Sequence, residues 1–151
     1  MAKKLLLEYD DENPYRFIGI SSNVREYQMV FHLVKKLNLQ FKNVEAFKFT
    51  KGGHEFVYSL YLYIDHDNLI NYYLISNKSN AHRLNAEFKN IDFFIILEGE
   101  IDDDFVADLA KKVKTLPEVI FTTVIDTEKF NEIQGLRYEF DMHLEKVLRE
   151  I

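Results

Sequence analysis

The chain has no cysteine and no tryptophan, and only two prolines and five glycines among its 151 residues. Without cysteine there is no disulfide, no thiolate metal site and no cysteine nucleophile. That usage fits a reducing compartment. The glycines at 19, 52, 53, 99 and 135 form neither a phosphate-cradling loop nor a dinucleotide fingerprint. Gly19-Ile20-Ser21-Ser22-Asn23 lacks the closing glycine of a nucleophile elbow. His54-Glu55 lacks the second histidine of a helical zinc-protease motif. The histidines at 32, 54, 66, 82 and 143 include no pair three or four apart.

Long apolar runs are also missing. No stretch approaches the ~20 residues of a membrane span. The opening Met1-Ala2-Lys3-Lys4-Leu5-Leu6-Leu7-Glu8 has an apolar run too short for an export signal. The expectation is a cytoplasmic protein with no membrane partner. The net charge of -6 argues against broad binding to nucleic acid or anionic lipid. No motif implies a cofactor.

The length fits a single domain over residues 1–151, long enough to bury a full core without staples. The aromatic fraction, 15% from 13 Phe and 9 Tyr, is high. Large rings supply core volume, and tyrosine adds a polar handle suited to half-buried surfaces and interfaces.

Apolar periodicity predicts the elements. Leu5–Tyr9 reads as a strand, Asp10–Pro14 as a break and Phe17–Ile20 as a second extended piece. Val24–Leu37 reads as a helix, with Asn23 and Glu26 spaced as a capping box. Val44–Thr50, Phe56–Ile64 and Leu69–Ile75 form an antiparallel meander turning at Lys51–His54 and Asp65–Asn68. Asn77–Asn90 is a polar, locally basic connector. Ile91–Leu97, an apolar run with Asp92 near its start and Glu98 at its end, reads as a buried central strand. A helix follows from Asp102 to Leu116, acidic at its start and basic at its end, stopped by Pro117. Val119–Ile125 is the last strand, and this strand-helix-strand order predicts a right-handed parallel crossover. A short turn over Thr127–Gln134 precedes a C-terminal helix. The fold class is α+β: a mixed, largely antiparallel sheet of about six strands with two to three helices packed on it.

Three groups of side chains are candidate sites. Glu98, Glu100 and Asp102 gather at the end of the central strand, where carboxylates can hold a hard cation or a small ligand. The competing reading, acids at the positive start of a helix, accounts for most of them. Tyr58, Tyr61, Tyr63, Tyr72 and Tyr73 are interface candidates. In the middle meander strand Tyr61 and Tyr63 fall on the second face, too aromatic to be simply solvated, so a helix or a partner chain must cover it. Asp92 and Glu87 are structural polar candidates. A carboxylate at the start of a buried strand must accept hydrogen bonds, from backbone N–H groups or from Arg83, and so tie down a neighbouring loop.

Phe17-Ile18-Gly19-Ile20-Ser21-Ser22, then Glu26-Tyr27-Gln28-Met29, then Glu87-x-x-x-Ile91-Asp92-Phe93 running into Ile96-Leu97-Glu98-Gly99, together resemble the bacterial IPExxxVDY family of small uncharacterised proteins. Ile91 and Phe93 stand where that motif has Val and Tyr, and Asn85-Ala86 where it has Ile-Pro. The resemblance implies no known activity and carries over no functional residue. The chain therefore reads as a non-catalytic binding or interaction module. It would self-associate through an aromatic sheet face or an edge strand, or meet an unidentified protein partner. The alternative is an enzyme or a ligand- or cation-binding protein using Glu98–Asp104.

Overall fold

The structure, a computed structural model, describes residues 15–79, 82–133 and 135–151. The expected strand Leu5–Tyr9, the break Asp10–Pro14 and Gln134 lie outside the described residues. The protein has an α+β fold built on one six-stranded sheet.

The apolar run after Asp92 forms strand β7 (Phe93–Glu98), buried from Phe93 through Leu97. It lies between β4 (Ile70–Ser76) and β1 (Tyr15–Ser22), so both its edges are hydrogen-bonded. The meander appears where the Gly and Asp turns predict it, as β2 (Lys42–Lys51), β3 (His54–Asp65) and β4. Gly52 and Gly53 both take positive φ in the first turn, which explains their pairing there. The short ladder β5 (Lys78–Ser79) and β6 (His82–Arg83) interrupts the connector. β8 (Val119–Ile125) completes the sheet in the order β2-β3-β4-β7-β1-β8.

Every strand pairing is antiparallel. The expected parallel crossover is present, but its two strands are not neighbours. β7 and β8 do run the same way, but each pairs antiparallel with β1, which lies between them. The helix that joins them crosses over β1. Gly19, midway along β1, makes that insertion close. A Cβ there would stand 2.8 Å from Cδ1 of Ile125 and 2.9 Å from Cδ1 of Ile91. The sheet is accordingly antiparallel throughout, not mixed.

Helices cover both faces. α1 (Glu26–Leu37) and α2 (Asp103–Lys114) pack on one face, where Met29, Leu33, Val106 and Val113 meet Ile18, Ile20, Leu74 and Ile95. α3 (Glu128–Asn131) and α4 (Leu136–Arg149) pack on the other, where Phe130, Phe140 and Leu144 meet Phe17, Phe47, Tyr73 and Phe94. The cap of α1 differs from the sequence reading. Arg25 is the N-cap, and its N–H donates to Oε1 of Gln28 at 2.9 Å, while Ser22 Oγ accepts from the Val24 N–H at 3.1 Å. In α2, Asp102 caps as the acidic start predicts, accepting from the Phe105 N–H at 2.8 Å. No helix among the described residues is long and apolar enough to cross a membrane.

The connector is held by Asn77, which is fully buried. Its Nδ2 donates to the carbonyls of Phe88 (3.1 Å) and Ile91 (2.9 Å), and its Oδ1 accepts from the Asn85 N–H at 2.9 Å. Its backbone N–H donates to the Asp92 carbonyl at 2.9 Å. One side chain thus closes a loop that has almost no regular structure of its own. Asn77→Ala would leave the buried Asn85 N–H without its acceptor and take one donor each from the Phe88 and Ile91 carbonyls, which keep the Ile91 N–H and Arg83. The expected loss is about 1–3 kcal/mol in urea unfolding with the native strand signal retained in dilute buffer. A loss below about 0.5 kcal/mol, the range of ordinary surface changes, would show that the connector does not depend on Asn77.

Candidate functional site

The carboxylates expected to converge at the end of β7 go separate ways. Glu98 sits in register between Tyr15 of β1 and Asn71 of β4. It accepts hydrogen bonds from the Tyr73 hydroxyl at 2.6 Å and from Asn71 Nδ2 at 3.0 Å, which hold it on the α4 side of the sheet. Asp102 is engaged in capping α2 on the opposite side, and Glu100 is exposed. Among the described residues no group of three His, Asp or Glu side chains is placed to hold a metal ion. The acids disperse because the strand stops at Glu98: Gly99 turns the chain with positive φ, so the two-residue alternation does not carry on to Glu100, and Asp102 is handed to a helix start.

Beside Glu98 the sequence reading missed a cluster. The Tyr15 hydroxyl donates to Asp141 Oδ1 at 2.7 Å, and Arg137 Nε donates to Asp141 Oδ2 at 3.3 Å. The Arg137 guanidinium lies 4.8 Å from the centre of the Tyr15 ring. Burial pushes the Tyr15 hydroxyl well above its ordinary range, and its hydrogen bond to Asp141 adds to this. Burial and the charge of Glu98 do the same to Tyr73. Two neutral hydroxyls thus serve two carboxylates in a packed cluster. Each named donor points at a named acceptor, which suits anchoring α4 to the sheet rather than turning over a substrate.

The tyrosines expected at an interface are inside the molecule. Tyr58, Tyr72 and Tyr73 are at most 4% exposed. Tyr61 and Tyr63 are half-buried under α1 and the chain that leaves it. The Tyr61 hydroxyl donates to Glu26 Oε2 at 3.0 Å, and the Tyr63 ring lies 5.0 Å from Tyr72 and 6.3 Å from Phe41. A helix and the chain after it cover this face, so these five rings are not free surface; the most exposed rings among the described residues, Tyr27, Phe31 and Tyr138, lie on the helices. Asp92 is structural: its Oδ2 accepts the Ser22 N–H at 2.9 Å, tying the end of β1 to the start of β7. Arg83 bonds the neighbouring Ile91 carbonyl at 2.9 Å instead. Glu87 pairs with Lys129 at 3.1 Å and so fixes the connector to α3.

Among the described residues the sheet has two outer strands, β2 and β8. The two outer strands differ sharply. β2 exposes Lys42, Glu45, Lys48 and Lys51, and α4 shields it. Glu45 pairs with Lys146 at 2.7 Å, and the Glu45 carbonyl is hydrogen-bonded by His143 Nε2 at 2.7 Å. β8, Val119-Ile120-Phe121-Thr122-Thr123-Val124-Ile125, has no charged residue. Among the described residues it pairs with β1 alone. Ile120, set out of the β1 register by a bulge, is 54% exposed, and Val124 is 47% exposed. α2 lies over the same strand, where Thr122 Oγ1 donates to the Ala110 carbonyl at 2.9 Å. Glu118 and Asp126 bound the strand on either side. The strand's uncharged, β-branched composition was visible in the sequence, but its position at the rim was not.

The buried tyrosines set an alkaline limit. Burial pushes the hydroxyls of Tyr61 and Tyr72 up to about 12 from an ordinary 10.0. The folded state therefore holds these protons more tightly than the unfolded chain. Their stabilising contribution is complete below pH 10.0 and is lost as pH rises toward about 12. Urea midpoints should stay level from pH 8 to 9.5 and then fall, with tyrosinate absorbance lagging behind that of free tyrosine (about pH 10). A level midpoint through pH 11.5 would contradict the burial of these hydroxyls. No family model matches the chain, and no curated protein matches it.

Proposed function

We propose that this protein is a non-catalytic interaction module that receives an extended strand along β8. The observation that carries the reading is the contrast between its two sheet edges. A rim strand presents a row of free N–H and C=O groups that template pairing with another chain. Natural sheets blunt such rims with lysine or with a covering helix, and β2 has both. β8 has α2 over one face, bonded through the Thr122 hydroxyl, but it has no charge in its span and no second strand beside it among the described residues. The polar groups at the strand ends support the non-catalytic part. Glu98, Asp141, Tyr15 and Tyr73 are matched to one another or to Asn71 and Arg137 inside a packed cluster.

The test is a titration of isotope-labelled protein, kept dilute, with a synthetic peptide copying residues 117–127. Amide shifts should concentrate in β8 and its β1 neighbours, and the Val124→Lys variant should lose them, since a lysine on the rim disfavours strand addition. Shifts that are absent, or that map to another surface, would refute the edge as the binding element.

A further inference from the structure

Resting on that reading of β8, we infer that the strand it receives is β8 of a second copy, paired antiparallel about a two-fold axis at Thr122. Three observations lead there. The two most exposed apolar residues of the strand, Ile120 and Val124, stand symmetrically about Thr122. A two-fold axis at that residue places Ile120 opposite Val124 of the second copy, and the reverse, so one register covers both twice. It also sets Phe121 opposite Thr123 of the second copy, an aromatic against a β-branched side chain, a favourable cross-strand pair.

The second observation is charge. α2 overlies β8 and is polarised along its length, with Asp103, Asp104 and Asp108 toward its start and Lys111, Lys112 and Lys114 toward its end. The same axis brings the two α2 helices together antiparallel. The acidic start of each then lies beside the basic end of the other. Within the chain Asp103 already pairs with Arg16 and Asp108 with Lys112, so the charges left to meet the second copy are chiefly Asp104, Lys111 and Lys114. The third is extent. Glu118 and Asp126 close the uncharged span at both ends, so pairing is confined to the seven residues of β8. An isologous contact of this kind uses up both rims at once and stops at two copies. The joined sheet then ends on the shielded β2 strands.

Multi-angle light scattering over a concentration series tests this directly. The mass should rise from 18.0 kDa to twice that value with concentration. Ile120→Lys/Val124→Lys should remain monomeric, weakening association by about tenfold or more, because lysines would then face one another across the axis. Circular dichroism checks that this variant keeps its fold. A second pair of variants does not touch the strand. Asp104→Lys/Asp108→Lys and Lys111→Glu/Lys112→Glu should each dimerise less than the parent, yet form a heterodimer when mixed in equal amounts. A chain that stays monomeric at high micromolar concentration while still binding the 117–127 peptide would overturn the second copy and leave the open edge standing. A monomer whose β8 amides are protected from exchange would overturn both, since another occupant, such as residues 1–14, would hold the rim. A dimer insensitive to the β8 lysines would overturn the contact.

Discussion

Burial of β7 on both faces constrains everything else in this fold. Its side chains alternate between two separate cores: Phe93, Ile95 and Leu97 enter the one beneath α1 and α2, while Phe94 and Ile96 enter the one beneath α3 and α4. An antiparallel sheet with one solvated face would alternate apolar and polar residues. This strand does not, so both faces require a helical layer. At roughly 25 cal/mol per Å² of apolar surface, removing either layer would expose more of the central strand than a marginally stable domain tolerates. The length of the chain after β7 is spent meeting that demand, first with α2 and then with α3 and α4.

Sealing a strand so completely leaves its ends as the places where polar groups must be satisfied. At one end Asp92 accepts the Ser22 N–H, and Asn77 collects the carbonyls of the connector. At the other, Glu98 is held by Tyr73 and Asn71, with Tyr15, Asp141 and Arg137 alongside. Of these groups the sequence offers only Glu98 as a ligand candidate and already marks Asp92 as a structural tie. Packing makes them structural, since an unsatisfied carboxylate or amide at such a depth would cost more than most single contacts return.

Closing both faces also moves the interaction potential of the sheet to its rims. The rim at β2 is guarded by charge and by α4. The rim at β8 carries only β-branched and aromatic side chains within its span, with acids just outside it. Interaction through an aromatic face and interaction through an edge are therefore not equivalent alternatives here. Glu26 of α1 covers Tyr61, and Phe41, beyond that helix, covers Tyr63, which is why we place the proposed interaction at the edge.

Local pattern alone determined the elements: the meander turning at Gly52-Gly53, the buried run of β7, and the acid-to-base polarity of α2 with its Asp102 cap all act within a few residues, so the sequence shows them. The two-sided coverage of the sheet was foreshadowed by Tyr61 and Tyr63. The sequence did not show where β1 would go. Its insertion between β7 and β8 rests on contacts made by Gly19 with Ile91 and Ile125, more than seventy positions away. That one placement separates the two parallel strands of the crossover and gives each an antiparallel neighbour. Nor did the sequence show that Glu98 and Asp102 would part company, or that Val119–Ile125 would stand at a rim. Strand order is settled by long-range packing between two cores, and only the assembled sheet decides which backbone groups are left facing water.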